Sequence, residues 1–395
     1  MQPFKHASAI IEKLEKHGFE AYFVGGSVRD FIIGKPISDV DIATSALPNE
    51  VMRIFPHHVP IGLEHGTVLV LYEGISYEVT TFRMEAEYDD FRRPSHVSFV
   101  RSLEEDLKRR DFTMNAIAMT ANGDMIDSFG GQEAIHRKQI QTVGNPDERF
   151  REDALRMMRG VRFVSTLGFH LSDETKQAIQ EHAGLLVHIA IERIAVEFEK
   201  LLLGEGVRQA LLLLAETDLY AYLPYFEKKG EQIASAAMYN WNVIQSSEEA
   251  WALLLRAVKP ENADALLKNW KLSNKKVHTI TSILHCLVQR EKSEWNDMLL
   301  YQSGEEISIM TERVVSALQG EQPSIEHVHS LYKKLPIHSR KDLAVTGTDL
   351  LQWTGKQGGP WLAAALGQLE REVVCGRLAN SKESVKEWLK QCNLL

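Results

Sequence analysis

The sequence predicts an α+β head with a mixed sheet of about five strands over residues 1–140, followed by an all-α remainder. Three observations predict it. Short apolar runs of strand length, bounded by glycine turns, fall within the first 140 residues. From Asn145-Pro146 onward such runs vanish, and Leu, Ala and Glu dominate. Glycine- or proline-containing breaks near 204–206, 224, 260, 323 and 336 then divide the helical part into more than one module.

The bulk properties exclude several classes. At 395 residues, 44% hydrophobic and 25% charged, the chain has the length of two or three ordinary globular domains. The most apolar region, 201–223, is broken by charges, so no bilayer span is expected. The N-terminus, MQPFKHAS, lacks a hydrophobic signal region. Cys286, Cys375 and Cys392 are too few and too scattered for a disulfide frame or a zinc site, which points to a reducing, cytoplasmic setting. A formal net charge of −9 weighs against a nucleic-acid partner, but local basic surface decides such binding.

Taken in order, Phe4, Ala7, Ile11 and Leu14 repeat at helical spacing, and His17-Gly18 closes that helix. Tyr22-Phe23-Val24 reads as a buried strand that breaks at Gly25-Gly26. Ser27 is placed to cap a helix over 28–33, which Gly34 and Pro36 terminate. Strand, glycine turn and helix start aim free N–H groups at one point, an anion site whose usual occupant is phosphate. A second strand over 39–43 projects Asp39 and Asp41 from one face and sends Val40 and Ile42 into the core. Two neighbouring carboxylates repel unless a cation lies between them, and Mg²⁺ takes one or two carboxylates plus phosphate oxygens. With Arg29 and Asp30 between the motifs, the pattern is that of a metal–triphosphate site for in-line displacement at phosphorus. Each motif alone would read as a tight turn or a solvent-facing strand end.

A short helix over 49–55 precedes strands over 67–72 and 75–82, joined as a hairpin through Glu73-Gly74. Glu78, a lone acid on the second of these, is either a third carboxylate aimed at the metal or a solvent-facing strand residue. Residues 83–95, RMEAEYDDFRRPS, are charged and aperiodic and read as a mobile loop. Ser102 and Glu105 make a capping-box pattern for a helix running to Arg110. A strand over 116–121 turns at Asn122-Gly123-Asp124.

Residues 150–163, FREDALRMMRGVRF, read as one helix. On a helical wheel Glu152, Asp153, Arg156 and Arg159 fall within about a third of the circumference, with Arg162 at the edge of the apolar side. A surface helix laced with i,i+3 pairs would give the same pattern. The chemistry allows more. Cytosine and adenine both present an amino donor beside a ring acceptor. A carboxylate with a guanidinium matches both and opposes uracil and guanine.

GGSVRD with DVDIAT resembles the first signature of the class II CCA-adding tRNA nucleotidyltransferases and of the related bacterial poly(A) polymerases. RRDFTMNA over 109–116 is similar to their second signature, and EDxxR over 152–156 to their nucleobase-recognition motif. Residues 191–202, IERIAVEFEKLL, resemble the segment that braces the reading helix, and residues 347–376 the tail. The resemblance implies a nucleotidyltransferase head (1–140), a neck with the reading helix (141–205), a body (206–320) and a tRNA-binding tail (321–395). It implies that Asp39 and Asp41 hold Mg²⁺ and that Gly26 and Arg29 contact the triphosphate, with Gly25 and Ser27 beside them. Arg110 would contact the nucleotide, and Asp111 would read the ribose 2′-OH. Asp153 and Arg156 would face the base, with Glu152, Arg159 and Arg162 nearby.

The activity that the resemblance implies is therefore untemplated addition of C, C and A to tRNA from CTP and ATP, by a homodimer with no membrane association. A poly(A) polymerase, or an enzyme adding only CC or only A, shares these signatures. A tRNA-binding protein with a vestigial site is opposed by the intact Asp39/Asp41 pair and RRD. Lys268, Lys271, Lys275 and Lys276, and Lys333, Lys334, Arg340 and Lys341, are candidate tRNA contacts, with a solvated helix face as the preferred reading of both.

Overall fold

The structure, a computed structural model, describes residues 2–85 and 97–392. It divides into two compact units, Met1–Ala237 and Met238–Leu395.

In the first unit α1 (Gln2–Lys16) buries Phe4, Ala7, Ile10, Ile11 and Leu14, one apolar face at helical spacing. Phe4 meets Phe23 of β1 (Ala21–Val24) at 4.7 Å between ring centroids. Then follow α2 (Gly26–Ile33), β2 (Asp41–Thr44), α3 (Pro48–Ile54), β3 (His58–Gly62), β4 (Thr67–Tyr72) and β5 (Ile75–Thr81). β6 (Arg83–Glu85) and β7 (Val97–Phe99) pair as a separate ribbon, and α4 (Leu103–Lys108), β8 (Ala118–Met119), β9 (Met125–Ile126) and α5 (Gly131–His136) complete the head.

One seven-stranded sheet runs β3-β4-β5-β2-β1-β8-β9, with β2 and β5 parallel and the other neighbours antiparallel. The expected five strands are all present. β3 and β9 are additional. Pro60 within β3 and the two-residue length of β9 left neither a readable period. The β4–β5 hairpin turns at Glu73 (φ 49°) and Gly74 (φ 80°), the left-handed pair a two-residue hairpin requires.

Two expectations need correction here. The second strand begins at Asp41, where pairing with Val24 starts, so Asp39 precedes it and is exposed. The segment read as a loop from Arg83 begins as strand: Arg83, Met84 and Glu85 oppose Phe99, Ser98 and Val97. Arg92, Arg93 and Pro94 lie outside the described residues.

After β10 (Gln139–Ile140) come α6 (Pro146–Glu152), α7 (Leu155–Leu167), β11 (His170–Leu171), α8 (Asp173–His182), α9 (Ile191–Leu202), α10 (Val207–Glu216) and α11 (Gly230–Ala236). The part expected to be wholly helical thus contains β11, which pairs parallel to β10 over two residues, too few to mark the sequence. Lys35 Nζ donates to the Thr166 carbonyl at 2.8 Å, tying the segment after α2 to the last turn of α7.

The second unit is helical: α12 (Ser247–Val258), α13 (Ala263–Asn269), α14 (Asn274–Arg290), α15 (Asp297–Gln319), α16 (Ile325–Lys333), α17 (Gly347–Thr354), α18 (Pro360–Val374) and α19 (Lys382–Gln391). Trp251 and Trp270 meet edge-on at 4.9 Å, and α15 bends at Gly304 (φ 74°). No helix among the described residues is long and apolar enough to cross a membrane.

Candidate active site

The glycine turn sets the floor of the site. Gly25 adopts φ +72°, which favours glycine, and a Cβ there would lie 3.1 Å from Arg110 Nη1 and 3.6 Å from Asp41 Oδ2. Gly25 therefore separates a guanidinium from a carboxylate with room for no side chain of its own. α2 starts one residue later, at Gly26, so Ser27 is not its cap. The buried Ser27 hydroxyl instead donates to the Val24 carbonyl at 3.0 Å and pins the turn to β1. Arg29, also buried, donates to Asp30 Oδ1 at 2.9 Å and to Asn115 Oδ1 at 2.7 Å.

Asp41 opens β2 with Val24 on one side and Glu78 on the other, its register partner on β5. Burial raises its carboxyl to about 6; the Glu78 charge adds to this, Arg110 opposes it, and Asp39 adds again. Glu78 is exposed, as a solvent-facing residue would be, yet its charge bears directly on Asp41. Asp39, Asp41 and Glu78 offer only oxygen donors, and the like charges that oppose ionisation of Asp41 are what a hard divalent cation would offset. A different trio among the described residues, Asp147, Glu181 and His182, has ligand atoms within 4.8 Å of one another. It does not line the cavity described below, and its 2.9 Å His182–Asp147 contact is an ordinary link between α6 and α8.

The RRD segment follows α4. Asp106, almost wholly buried, accepts from Arg109 Nη2 at 2.7 Å, Arg110 Nη2 at 3.1 Å and the Arg83 N–H at 3.3 Å. Arg110 also reaches the Asn115 carbonyl at 3.3 Å, while its buried Nε has no hydrogen-bond partner among the described residues. Asp111 accepts from the Phe112 N–H (2.8 Å) and Asn115 Nδ2 (2.9 Å) on one oxygen, and from Arg159 Nε (2.8 Å) and Nη2 (2.7 Å) on the other. Burial would raise this carboxyl, but the Arg159 guanidinium and the hydrogen bonds outweigh it and hold it well below the usual carboxylate range. A ribose hydroxyl reaching Asp111 has to displace one of these donors.

The single helix expected over 150–163 is two. α6 ends at Glu152, Asp153 is extended (φ −138°, ψ 102°), and α7 starts at Leu155. The wheel fails there because Asp153 leaves the helix to bond its own chain: Oδ1 accepts from the Leu155 N–H at 3.1 Å, and Oδ2 pairs with Arg193 of α9 at 3.1 Å. Arg156, buried, bonds Glu152 at 2.7 Å and the Arg109 carbonyl at 2.9 Å. Arg159 and Arg162 both face Glu197 of α9, at 3.6 and 2.6 Å. α7 approaches the RRD segment closely at Gly160, where a Cβ would stand 3.2 Å from the Phe112 ring.

These residues surround one cavity of about 750 Å³. Gly25, Gly26, Arg29, Asp41, Arg110, Asp111, Asp153, Arg156, Arg159 and Arg162 line it; Asp39, Glu78, Glu152 and Ser27 do not. Eight arginines and three aspartates face it, so its field is strongly positive in a chain of net charge −9. Sequence reading missed Asn115, Phe163 and Arg193. Asn115 lies inside the RRDFTMNA signature and Arg193 inside the bracing segment, so both were in quoted motifs without being singled out.

A family profile described as "Poly A polymerase head domain" matches residues 21–141, and one described as "Probable RNA and SrmB- binding site of polymerase A" matches 168–229. A profile for tRNA nucleotidyltransferase domain 2 matches 243–389. A CCA-adding enzyme of Bacillus cereus (strain AH820) is 56% identical over 397 residues, covering 100% of both chains, and one of Bacillus cytotoxicus matches to the same extent. The crystal structure of Bacillus stearothermophilus CCA-adding enzyme in complex with CTP superposes with a TM-score of 0.95 at 49% identity, covering 100% of this chain and 98% of that one. Identity at this level along the whole length, over a head, a glycine turn and an arginine-lined cavity of the kind such chemistry needs, means that the chain belongs to the CCA-adding enzymes and is a nucleotidyltransferase.

Proposed function

We propose that this chain adds C, C and A in turn to the 3′ end of tRNA, from CTP and ATP and without a nucleic-acid template. The observation that carries the reading is the cavity, where eight arginines meet three aspartates beside the glycine turn. A triphosphate supplies the negative charge that this surplus of guanidinium asks for. The names of the full-length relatives, and the CTP bound to the Bacillus stearothermophilus enzyme, support the same substrate class.

In this reading the tRNA 3′-OH attacks the α-phosphorus; the new ester bond forms as the α–β phosphoanhydride breaks, and pyrophosphate leaves. Gly25 and Gly26 let the triphosphate approach the start of α2, and Arg29 and Arg110 bind its oxygens. Asp39 and Asp41 hold Mg²⁺, with Glu78 as a supporting charge. Mg²⁺ when bound supplies charge neutralisation and activation of the attacking hydroxyl. Asp153 and Arg156 read the base, Arg159 and Arg162 lie beside the nucleotide, Glu152 orients Arg156, and Asp111 reaches the ribose by exchanging a bond with Arg159.

The four-part division into head (1–140), neck (141–205), body (206–320) and tail (321–395), the cytoplasmic location and the homodimer belong to the same proposal. Supporting the head is the contiguous sheet, and supporting the brace is the contact of α9 with Asp153, Arg159 and Arg162.

The deciding experiment incubates pure protein with tRNA lacking CCA and with each nucleotide singly and together, then sequences the 3′ ends. Complete CCA ends are expected. Runs of A would make it a poly(A) polymerase, ends stopping at CC a CC-adding enzyme, and unchanged ends a binding protein.

A further inference from the structure

One apolar ring stands among the cations of the cavity. Phe163 on α7 is 3% exposed. The guanidinium carbon of Arg162 lies 3.6 Å from its ring centroid, that of Arg29 5.1 Å and that of Arg159 5.7 Å. On the protein side the ring meets Phe112 edge-on at 5.8 Å. Arg29 belongs to the glycine-turn helix and the other two to α7, so one ring touches cations from both walls of the cavity.

Each of the three guanidiniums is also held by a carboxylate on its Nε. Arg29 bonds Asp30 at 2.9 Å, Arg159 bonds Asp111 at 2.8 Å and Arg162 bonds Glu197 at 2.6 Å. The first two spend their remaining nitrogens on protein as well: Arg29 on Asn115 and Asp30, Arg159 on Asp111 and Glu197. Arg162 does not. Among the described residues its two Nη groups have no hydrogen-bond partner, and the side chain lines the cavity. Its Nε edge is fixed by Glu197 and its flat face by the ring, which leaves the Nη edge as the part offered to a ligand.

We propose that Phe163 is a positioning residue for nucleotide binding, the face of a clamp that with Glu197 presents the Nη edge of Arg162 to the bound nucleotide. The proposal rests on the reading of this cavity as the nucleoside triphosphate site. An aromatic face suits the task because it attracts a guanidinium without accepting any of its hydrogens, so every N–H not used by Glu197 stays available. An aliphatic residue of similar volume would fill the space and lose the attraction.

The test keeps the ring and changes its electronics. Phenylalanines with one, two and three ring fluorines are introduced at position 163 of the full-length protein, alongside Phe163→Leu. KM and kcat for CTP and ATP are measured on tRNA lacking CCA, with melting temperatures for each variant. Fluorine withdraws charge from the ring face while leaving its size nearly unchanged. KM is expected to climb step by step with fluorine number, reaching roughly five- to tenfold in the trifluoro and Leu variants, with kcat moving less than about twofold. Because the fluorinated series keeps the packing, it remains readable if the Leu variant does not fold. A KM that is flat across the series, or a fall in kcat at constant KM, overturns the proposal. Failure of the parent protein to extend tRNA from CTP and ATP overturns instead the reading on which it rests, and shows before any substitution is made.

Discussion

Asp41 and Glu78 are register partners on two adjacent parallel strands, and the Glu78 charge adds to the burial that makes Asp41 hard to ionise. The folded carboxyl of Asp41 sits at about 6 against the ordinary 3.8. Between those values the folded state holds a proton that the unfolded state has lost. Metal-free protein should therefore lose stability as pH rises from 4 to above 6, by up to about 3 kcal/mol from this group. Urea denaturation in chelator at pH 5 and pH 7.5 measures it. Asp41→Asn should remove the slope and abolish addition of both C and A, by about a thousandfold or more for a metal ligand worth several kcal/mol. Binding of tRNA should persist. A variant that keeps turning over removes Asp41 from the metal site.

Asp111 carries the opposite sign. Its folded carboxyl is depressed, so its contribution is present above the unfolded value and lost as pH falls below about 4. Asp111→Asn leaves Arg159 with only its 3.6 Å contact to Glu197 as counter-charge, at a cost of roughly 1–3 kcal/mol. The expected result is a lower denaturation midpoint at neutral pH and a flatter acid limb. A variant as stable as the parent at pH 7 would show that Glu197 alone suffices as the partner of Arg159.

Base choice should depend on Asp153 through two routes. Asp153 lines the cavity, and its carboxylate also accepts from the Leu155 N–H and pairs with Arg193. Asp153→Ala should admit UTP and GTP, eroding a discrimination that hydrogen-bonding sites can bring to about 10⁴. Arg193→Ala should do the same in part, by freeing the carboxylate to turn. Single-turnover assays with all four nucleotides separate the outcomes, and an equal loss for every base would make both residues structural.

The segment between β6 and β7 carries the last prediction. One rigid pocket cannot offer equal geometry to a pyrimidine and a purine, and a charged connection rooted at Arg83, which also lines the cavity, can change it. Because Met84 and Glu85 are strand residues, the cut belongs at 86–96 rather than at Met84. Replacing 86–96 with a short glycine turn should leave CC addition nearly intact and remove the terminal A. Sequenced 3′ ends that read CCA would exclude the switch.

What the sequence revealed was local. The β4–β5 hairpin is read to within one residue, β5 ending at Thr81 where 82 was expected, because alternation and a Glu-Gly turn both lie inside it. The break at Asp153 was invisible: EDALRMM contains no glycine or proline, and the helical period runs straight through. Only Arg193, 40 residues away, shows why Asp153 leaves the helix. Phe163 was not singled out, since a lone ring at the end of a helical run does not show that Arg29 reaches it from a different helix. The Arg29–Asn115 bond, spanning 86 residues, was hidden for the same reason. Signature residues announce themselves; the groups that aim them are recruited by folding.

The β6–β7 ribbon has a consequence for descent. Glu85 and Val97 are paired, so the chain leaves and re-enters the head at two neighbouring points whatever runs between them. Lengthening that stretch costs about 0.6 kcal/mol per doubling. Its length and lettering can thus drift, expand or be pruned between lineages without sliding a single strand of the seven-stranded sheet. The ribbon is a seam: on one side selection acts for folding, on the other for what is added, and a change in either need not be repaired by the other.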